Sequence, residues 1–279
     1  MSLMKMVGAL NLLTRRAALG FSVGAVAMMA CGRDPLAAGS TERADLEAVF
    51  AENGLAGTFV LYDVAADHLT LVNAKRAERR FVPASTFKIA NTVIALETGV
   101  VKDENEIIPY GGQPQPFKTW EKDMSMREAI ALSAVPIYQE LARRIGLERY
   151  REWLARLDFG NRQTGTIIDT FWLDGPLEIS AVEEARFVTR LAQQKLDASI
   201  RSQSIARDII RLESRDGKIL YGKTGWRFSS APNLGWWTGW VEQNGKISAF
   251  SLNIDMPAAT DAPKRVAVGK TMLSKLGVL

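Results

Sequence analysis

The chain has 279 residues, of which 47% are hydrophobic and 24% charged. These are globular proportions, without collagen-like, low-complexity or disordered bias. A single histidine, His68, excludes multi-histidine metal sites, and a single cysteine, Cys31, excludes intrachain disulfides, zinc knuckles and Cys-x-x-Cys redox pairs. The net charge is +4, and Lys5, Arg15 and Arg16 stand unopposed before residue 32, so no basic face for nucleic acid follows.

Residues 1–31 read as an export signal peptide. Positive charges precede the uncharged, small-residue run Ala17–Ala30, which is too short to span a bilayer (about 20 residues) but fits a signal-peptide core. Thr14-Arg15-Arg16-Ala17-Ala18-Leu19 resembles a twin-arginine signal, and Met28-Met29-Ala30-Cys31 resembles a lipoprotein cleavage box. The expected location is the periplasm, and a lipid anchor at Cys31 would account for the lone cysteine. Residues 40–279 then form a single domain.

Thr41 to Asn53 reads as a helix stopped at Gly54. Gly57–Asp63 and Leu69–Asn73 are β-rich runs around a polar turn, with His68 a solvated turn residue. A helix is predicted from about Ser85 to Thr98, ended by Gly99. Ser125 with Glu128 marks a capping box, and helical patterns follow through Ile137–Ile145 and Leu147–Leu157. A second box, Ser180 with Glu183, opens a helix towards Leu196. Strands return at Ile219–Thr224, Gly235–Glu242 and Lys246–Asp255, with Asn244-Gly245 as a hairpin turn, and the tail Ala262–Leu276 is helical. The expected fold is α+β: an antiparallel β-sheet flanked by N- and C-terminal helices, with an all-helical lobe, roughly residues 85–200, inserted in the sheet region. A ligand cleft belongs between lobe and sheet.

Three short elements carry chemistry. Ser85-Thr86-Phe87-Lys88 puts a hydroxyl and an amine on one helical face. A serine needs a base to take its proton, and a lysine serves once burial makes its amine neutral. Alone the pattern is weak, since about one chance Ser-x-x-Lys is expected in such a chain; Ser2-Leu3-Met4-Lys5 is another. Lys223-Thr224-Gly225 ends a predicted strand, offering a cation, a hydroxyl and a close backbone approach to a substrate carboxylate. Ser-Ala-Val occurs at Ser133 and at Ser180, but Ser180 already caps a helix, so Ser133 is preferred.

In this order the three elements resemble the penicilloyl-serine transferase superfamily, and more finely the class D, oxacillinase-type, serine β-lactamases. Pro83–Ile89, Phe171-Trp172-Leu173-Asp174-Gly175-Pro176-Leu177, Tyr221–Trp226 and Gly235–Trp240 carry the likeness. The resemblance implies a β-lactamase/transpeptidase-like fold and hydrolysis of β-lactams through an acyl-serine, conferring resistance to penicillins and related antibiotics. It implies Ser85 as nucleophile and Lys88 as an N-carboxylated general base formed from CO₂, with no metal and no other cofactor. Trp172 would donate to the carbamate between apolar walls from Val135 and Leu173, and Ser133 would relay a proton to the leaving nitrogen. Lys223, Thr224 and Arg265 would hold the substrate carboxylate beside Gly225, and the N–H groups of Ser85 and Trp226 would form an oxyanion hole. Partners would be small-molecule β-lactams, with no nucleic acid and no obligate protein partner; monomer and homodimer stay open. One departure stands out: the usual Tyr-Gly-Asn is Phe159-Gly160-Asn161, so a ring hydroxyl is missing. The rivals are a penicillin-binding transpeptidase, which deacylates slowly, and a covalent β-lactam sensor, which would need a transmembrane segment and an effector.

Overall fold

The computed structural model describes residues 39–279; the leader features at Arg15, Arg16 and Cys31 lie outside the described residues. The chain opens with β1 (Gly39–Glu42), α1 (Glu47–Glu52), β2 (Ala56–Asp63) and β3 (His68–Val72). Next come α2 (Ala74–Glu78), a 3-10 turn over Ala84–Phe87, and α3 (Lys88–Glu97). The short strands β4 (Ile107–Ile108) and β5 (Met124–Ser125) precede α4 (Met126–Leu132), α5 (Val135–Ile145) and α6 (Leu147–Arg156). α7 (Ala181–Ala192) and α8 (Ile200–Ile209) lead to β6 (Arg211–Arg215), β7 (Lys218–Arg227), β8 (Asn233–Gln243), β9 (Lys246–Met256) and α9 (Lys264–Lys275).

The large sheet has the order β1-β3-β2-β9-β8-β7-β6. β2 and β9 join the two ends of the chain, in register from Ala56↔Asp255 to Asp63↔Ser248. All its pairs are antiparallel except β1 with β3, which is parallel. Three expectations therefore change. The helix expected from Thr41 starts later, because Gly39–Glu42 add to the sheet edge and a 3-10 turn, Ala44–Leu46, intervenes. His68 is not in the turn: it opens β3, and its Nε2 lies 3.0 Å from Thr41 Oγ1, remote from the chemistry proposed for Ser85. Ser85 sits in the 3-10 turn rather than in the α-helix that follows.

Strand alternation splits the sheet between two apolar cores. On β8, Trp236 and Trp240 face the helical lobe, while Trp237 and Val241 face α1 and α9. The same period puts Tyr221, and with it Lys223 two residues on, on the lobe face of β7. α7 packs along β9, β2 and β8 on that face. α3 is buried from Lys88 to Leu96, as expected of a helix that is apolar nearly all round. The Asn244-Gly245 turn has φ of 51° and 76°, the positive pair that a tight hairpin demands.

Gly269, on α9, packs directly against the second core. A Cβ there would lie 2.2 Å from Trp237 Cε3, inside a buried ring. Alanine gains up to about 1 kcal/mol of helix propensity, but overpacking costs about 1–3 kcal/mol. Gly269→Ala is therefore expected to lower the urea-unfolding midpoint; an unchanged or raised midpoint would show that α9 simply shifts outward.

Candidate active site

The turn that carries Ser85 is fastened at several points. Ala84, with φ of 51°, donates its N–H to the Trp172 carbonyl at 2.8 Å. Trp236 Nε1 donates to the Val82 carbonyl at 2.9 Å. A Cβ on Gly225 would fall 2.9 Å from the Pro83 carbonyl and 3.2 Å from Thr86 Cγ2. The glycine expected to admit a ligand thus admits the turn itself, drawing β7 against Ser85.

Lys88 Nζ donates to Ser85 Oγ at 2.7 Å. The amine is fully buried, and burial, followed by the field of Lys223, holds it well below the ordinary lysine range. Its neighbours are aromatic: Nζ lies 5.3 Å from the centroid of Tyr138, and adjacent Phe87 packs on Phe159, Phe171 and Trp172 at 5.4–5.6 Å. Phe159, in place of the usual tyrosine, sits edge-on to Phe187 in that cluster. Trp172 is fully buried, and its indole N–H has no partner among the described residues. Such an orphan costs about 1–3 kcal/mol, so it marks a place for an acceptor.

A second amine faces the first from the sheet. Lys223 Nζ donates to Ser133 Oγ at 3.0 Å and to the Thr224 carbonyl at 2.9 Å. Burial and the field of Arg265 lower it to about 7. Ser133 ends α4 in the left-handed conformation, φ 57°, which turns its hydroxyl towards Lys223. A non-glycine residue held there stores strain, as functional sites often do. Ser180, the other Ser-Ala-Val, is fully spent on its capping box with Glu183.

Arg265 reaches from α9, donating to the Gly225 carbonyl at 2.7 Å and lying 5.6 Å from the Trp226 ring. Burial lowers it to about 10. Ser85, Ser133, Val135, Leu173, Thr224, Trp226 and Arg265 all line one cleft of about 590 Å³, while Lys88, Trp172 and Lys223 are buried beside it. Phe117 and Phe228, both exposed, form its apolar rim. The arrangement offers a hydroxyl able to act as nucleophile with an amine of lowered basicity at hydrogen-bond distance, a hydroxyl–amine pair able to deliver a proton, and a cation for an anionic substrate. Among the described residues no cluster of potential metal ligands occurs.

Sequence reasoning missed Tyr138, whose ring flanks Lys88; its place one helical turn after Val135 was the available signal. It also missed Glu184, which is buried and bonded to Thr86 at 2.6 Å. Its neighbour Glu183 had accounted for the local motif.

Residues 43–274 match the penicillin binding protein transpeptidase domain family. The chain is 39% identical over 234 residues to beta-lactamase OXA-48 of Klebsiella pneumoniae, covering 84% of this chain and 88% of that protein. It is 37% identical over 233 residues to beta-lactamase OXA-5 of Pseudomonas aeruginosa, covering 82% and 87%. Among solved structures, the class D beta-lactamase FUS-1 (OXA-85) of Fusobacterium nucleatum subsp. polymorphum superposes with a TM-score of 0.82 at 40% identity, over 86% of this chain and 100% of that one.

The field of Arg265 on Lys223 gives a direct check. Arg265→Gln removes the cation that depresses Lys223, so the lysine's titration midpoint should rise from about 7. NMR of carbon-labelled lysine side chains reads that midpoint; no rise would mean that burial alone sets it.

Proposed function

The chain belongs to the class D serine β-lactamases, and on that premise we propose that it hydrolyses penicillins and related β-lactams with Lys88 carboxylated on Nζ by CO₂. One observation carries the reading: a buried amine, held well below the ordinary lysine range, lies 2.7 Å from Ser85 Oγ, while Trp172, whose buried indole N–H has no partner among the described residues, packs on the adjacent Phe87. Carboxylation requires a free electron pair on nitrogen, which burial supplies. Trp172 and Ser85 are the residues that would hold the added group, between Val135 and Leu173. When bound, that group supplies the general base for acylation and deacylation.

The remaining steps belong to the chain's own residues. Ser85 Oγ attacks the lactam carbonyl carbon, and the N–H groups of Ser85 and Trp226 take the developing oxyanion. As the C–N bond breaks, the Ser133–Lys223 pair delivers a proton to the lactam nitrogen. Thr224 and Arg265 hold the substrate carboxylate, with a charge-assisted bond from the guanidinium. A water then cleaves the acyl-Ser85 ester. The order of charge, apolar run and small residues in 1–31 supports export to the periplasm, with Cys31 as the site for a lipid anchor.

Because the Lys88 amine is depressed, acid is needed to protonate it, and a protonated amine cannot hold CO₂. Activity should fall reversibly on acidification and return with bicarbonate. With labelled bicarbonate, the wild type should show a carbamate carbon by NMR. Trp172→Ala loses a hydrogen bond to a charged group, worth about 1.5–3 kcal/mol, so its bicarbonate requirement should rise about tenfold to a hundredfold. Lys88→Ala should be beyond rescue, and Ser85→Ala should form no penicilloyl adduct by mass spectrometry. Bicarbonate-independent turnover in CO₂-depleted buffer would contradict the carboxylated base.

A further inference from the structure

The hydrogen count beneath the nucleophile turn does not close with an ionised carboxylate. Thr86 Oγ1 lies 2.9 Å from the Pro83 carbonyl and 2.6 Å from Glu184 Oε1. A hydroxyl has one hydrogen, and a peptide carbonyl accepts only. If Glu184 were ionised, both contacts would need that same hydrogen. A protonated Glu184 supplies the second one and closes the chain. Glu184 is fully buried on α7, its Oε2 has no partner among the described residues, and it does not line the cleft.

We propose that Glu184 is a positioning residue which, as a neutral carboxylic acid, donates its proton to Thr86 Oγ1, so that Thr86 donates its own to the Pro83 carbonyl and fixes the turn presenting Ser85. The proposal rests on the reading of Ser85 as nucleophile. The same Pro83 carbonyl also accepts from Thr86 N–H at 3.3 Å and abuts Gly225. One acceptor thus ties the nucleophile turn to itself, to β7 and, through Thr86, to α7.

The electrostatic surroundings favour the neutral form. Burial, the largest effect, raises Glu184 to about 7 against the opposing Thr86 bond, and the field of Glu183 adds a smaller rise. Glu183 is itself paired with Arg80. The elements packed against α7 carry charges closed on one another: Arg76 of α2 with Asp255 of β9, and Arg207 of α8 with Glu242 of β8. From β2, Tyr62 donates to Asp67. Among the described residues, Glu183 is the charge whose field acts on Glu184. As pH rises through about 7, the carboxylate forms, takes the Thr86 hydrogen and releases the Pro83 carbonyl. Between the ordinary glutamate value of 4.5 and about 7, the folded protein keeps a proton the unfolded chain has lost. Stability therefore falls with rising pH across that window.

The experiment compares wild type, Glu184→Gln and Glu184→Ala at saturating bicarbonate, with a chromogenic cephalosporin in stopped flow and infrared difference spectra. Glutamine keeps a donor to Thr86 and cannot ionise. About one unit below the Glu184 midpoint, Glu184→Gln should acylate within about twofold of wild type. Glu184→Ala should be slower by about tenfold or more, the scale of a small misplacement of a reacting group. About one unit above the midpoint, the wild type should lose acylation rate and thermal stability relative to Glu184→Gln. A neutral-acid C=O stretch should be present in wild type and missing from Glu184→Gln. If Glu184→Ala does not fold, the Glu184→Gln comparison and the spectrum decide alone. Identical pH profiles for wild type and Glu184→Gln, or a carboxylate band below the midpoint, would overturn the proposal. Absence of labelling at Ser85 in wild type would overturn the functional reading instead.

Discussion

Everything in this site depends on burying an amine without a carboxylate to pair it. Lys88 is fully buried, and burial and the field of Lys223 lower it, with no acid among the described residues acting on it. A charged ammonium there would cost several kcal/mol even after relaxation, so burial favours the neutral amine. The 2.7 Å contact then joins Ser85, the proposed nucleophile, to a group able to act as a base, which a solvated lysine of ordinary basicity could not be at neutral pH.

Holding that amine dry and in place requires both halves of the fold. α3, buried nearly all round, carries Lys88 into the lobe, where the Tyr138 ring lies beside the amine and the neighbouring Phe87 anchors an aromatic cluster. The sheet contributes Lys223 through strand alternation, and Gly225 lets β7 come within contact of the Ser85 turn. The two lysines repel, which lowers Lys88 further. Arg265 does the same to Lys223, so two cationic groups meet at one cleft, and an anionic substrate relieves their repulsion.

Much of this was legible in the sequence because it was local. Ser85–Lys88 needed only one helical turn, the Ser180 capping box one motif, and Asn244-Gly245 one hairpin. What escaped was set by tertiary pairing. β1 is a short, mostly exposed edge strand with no apolar alternation, so it read as the start of a helix. β6 is exposed along its whole length, although Asp216-Gly217, with φ of 52° and 74°, is the hairpin turn that signals it. α8 went unread, although Ser199 caps it through the Ser202 N–H. Glu184 was hidden by its neighbour: periodicity shows which face a residue takes, not which hydroxyl it will meet across nearly a hundred residues of chain.

The central claim is that Lys88 is neutral in the folded enzyme. Its side chain, labelled with carbon-13 and titrated by NMR in CO₂-free buffer, reports this directly. The account predicts a midpoint well below the ordinary lysine value of 10.5, with the amine uncharged at neutral pH. A midpoint near that ordinary value would contradict it.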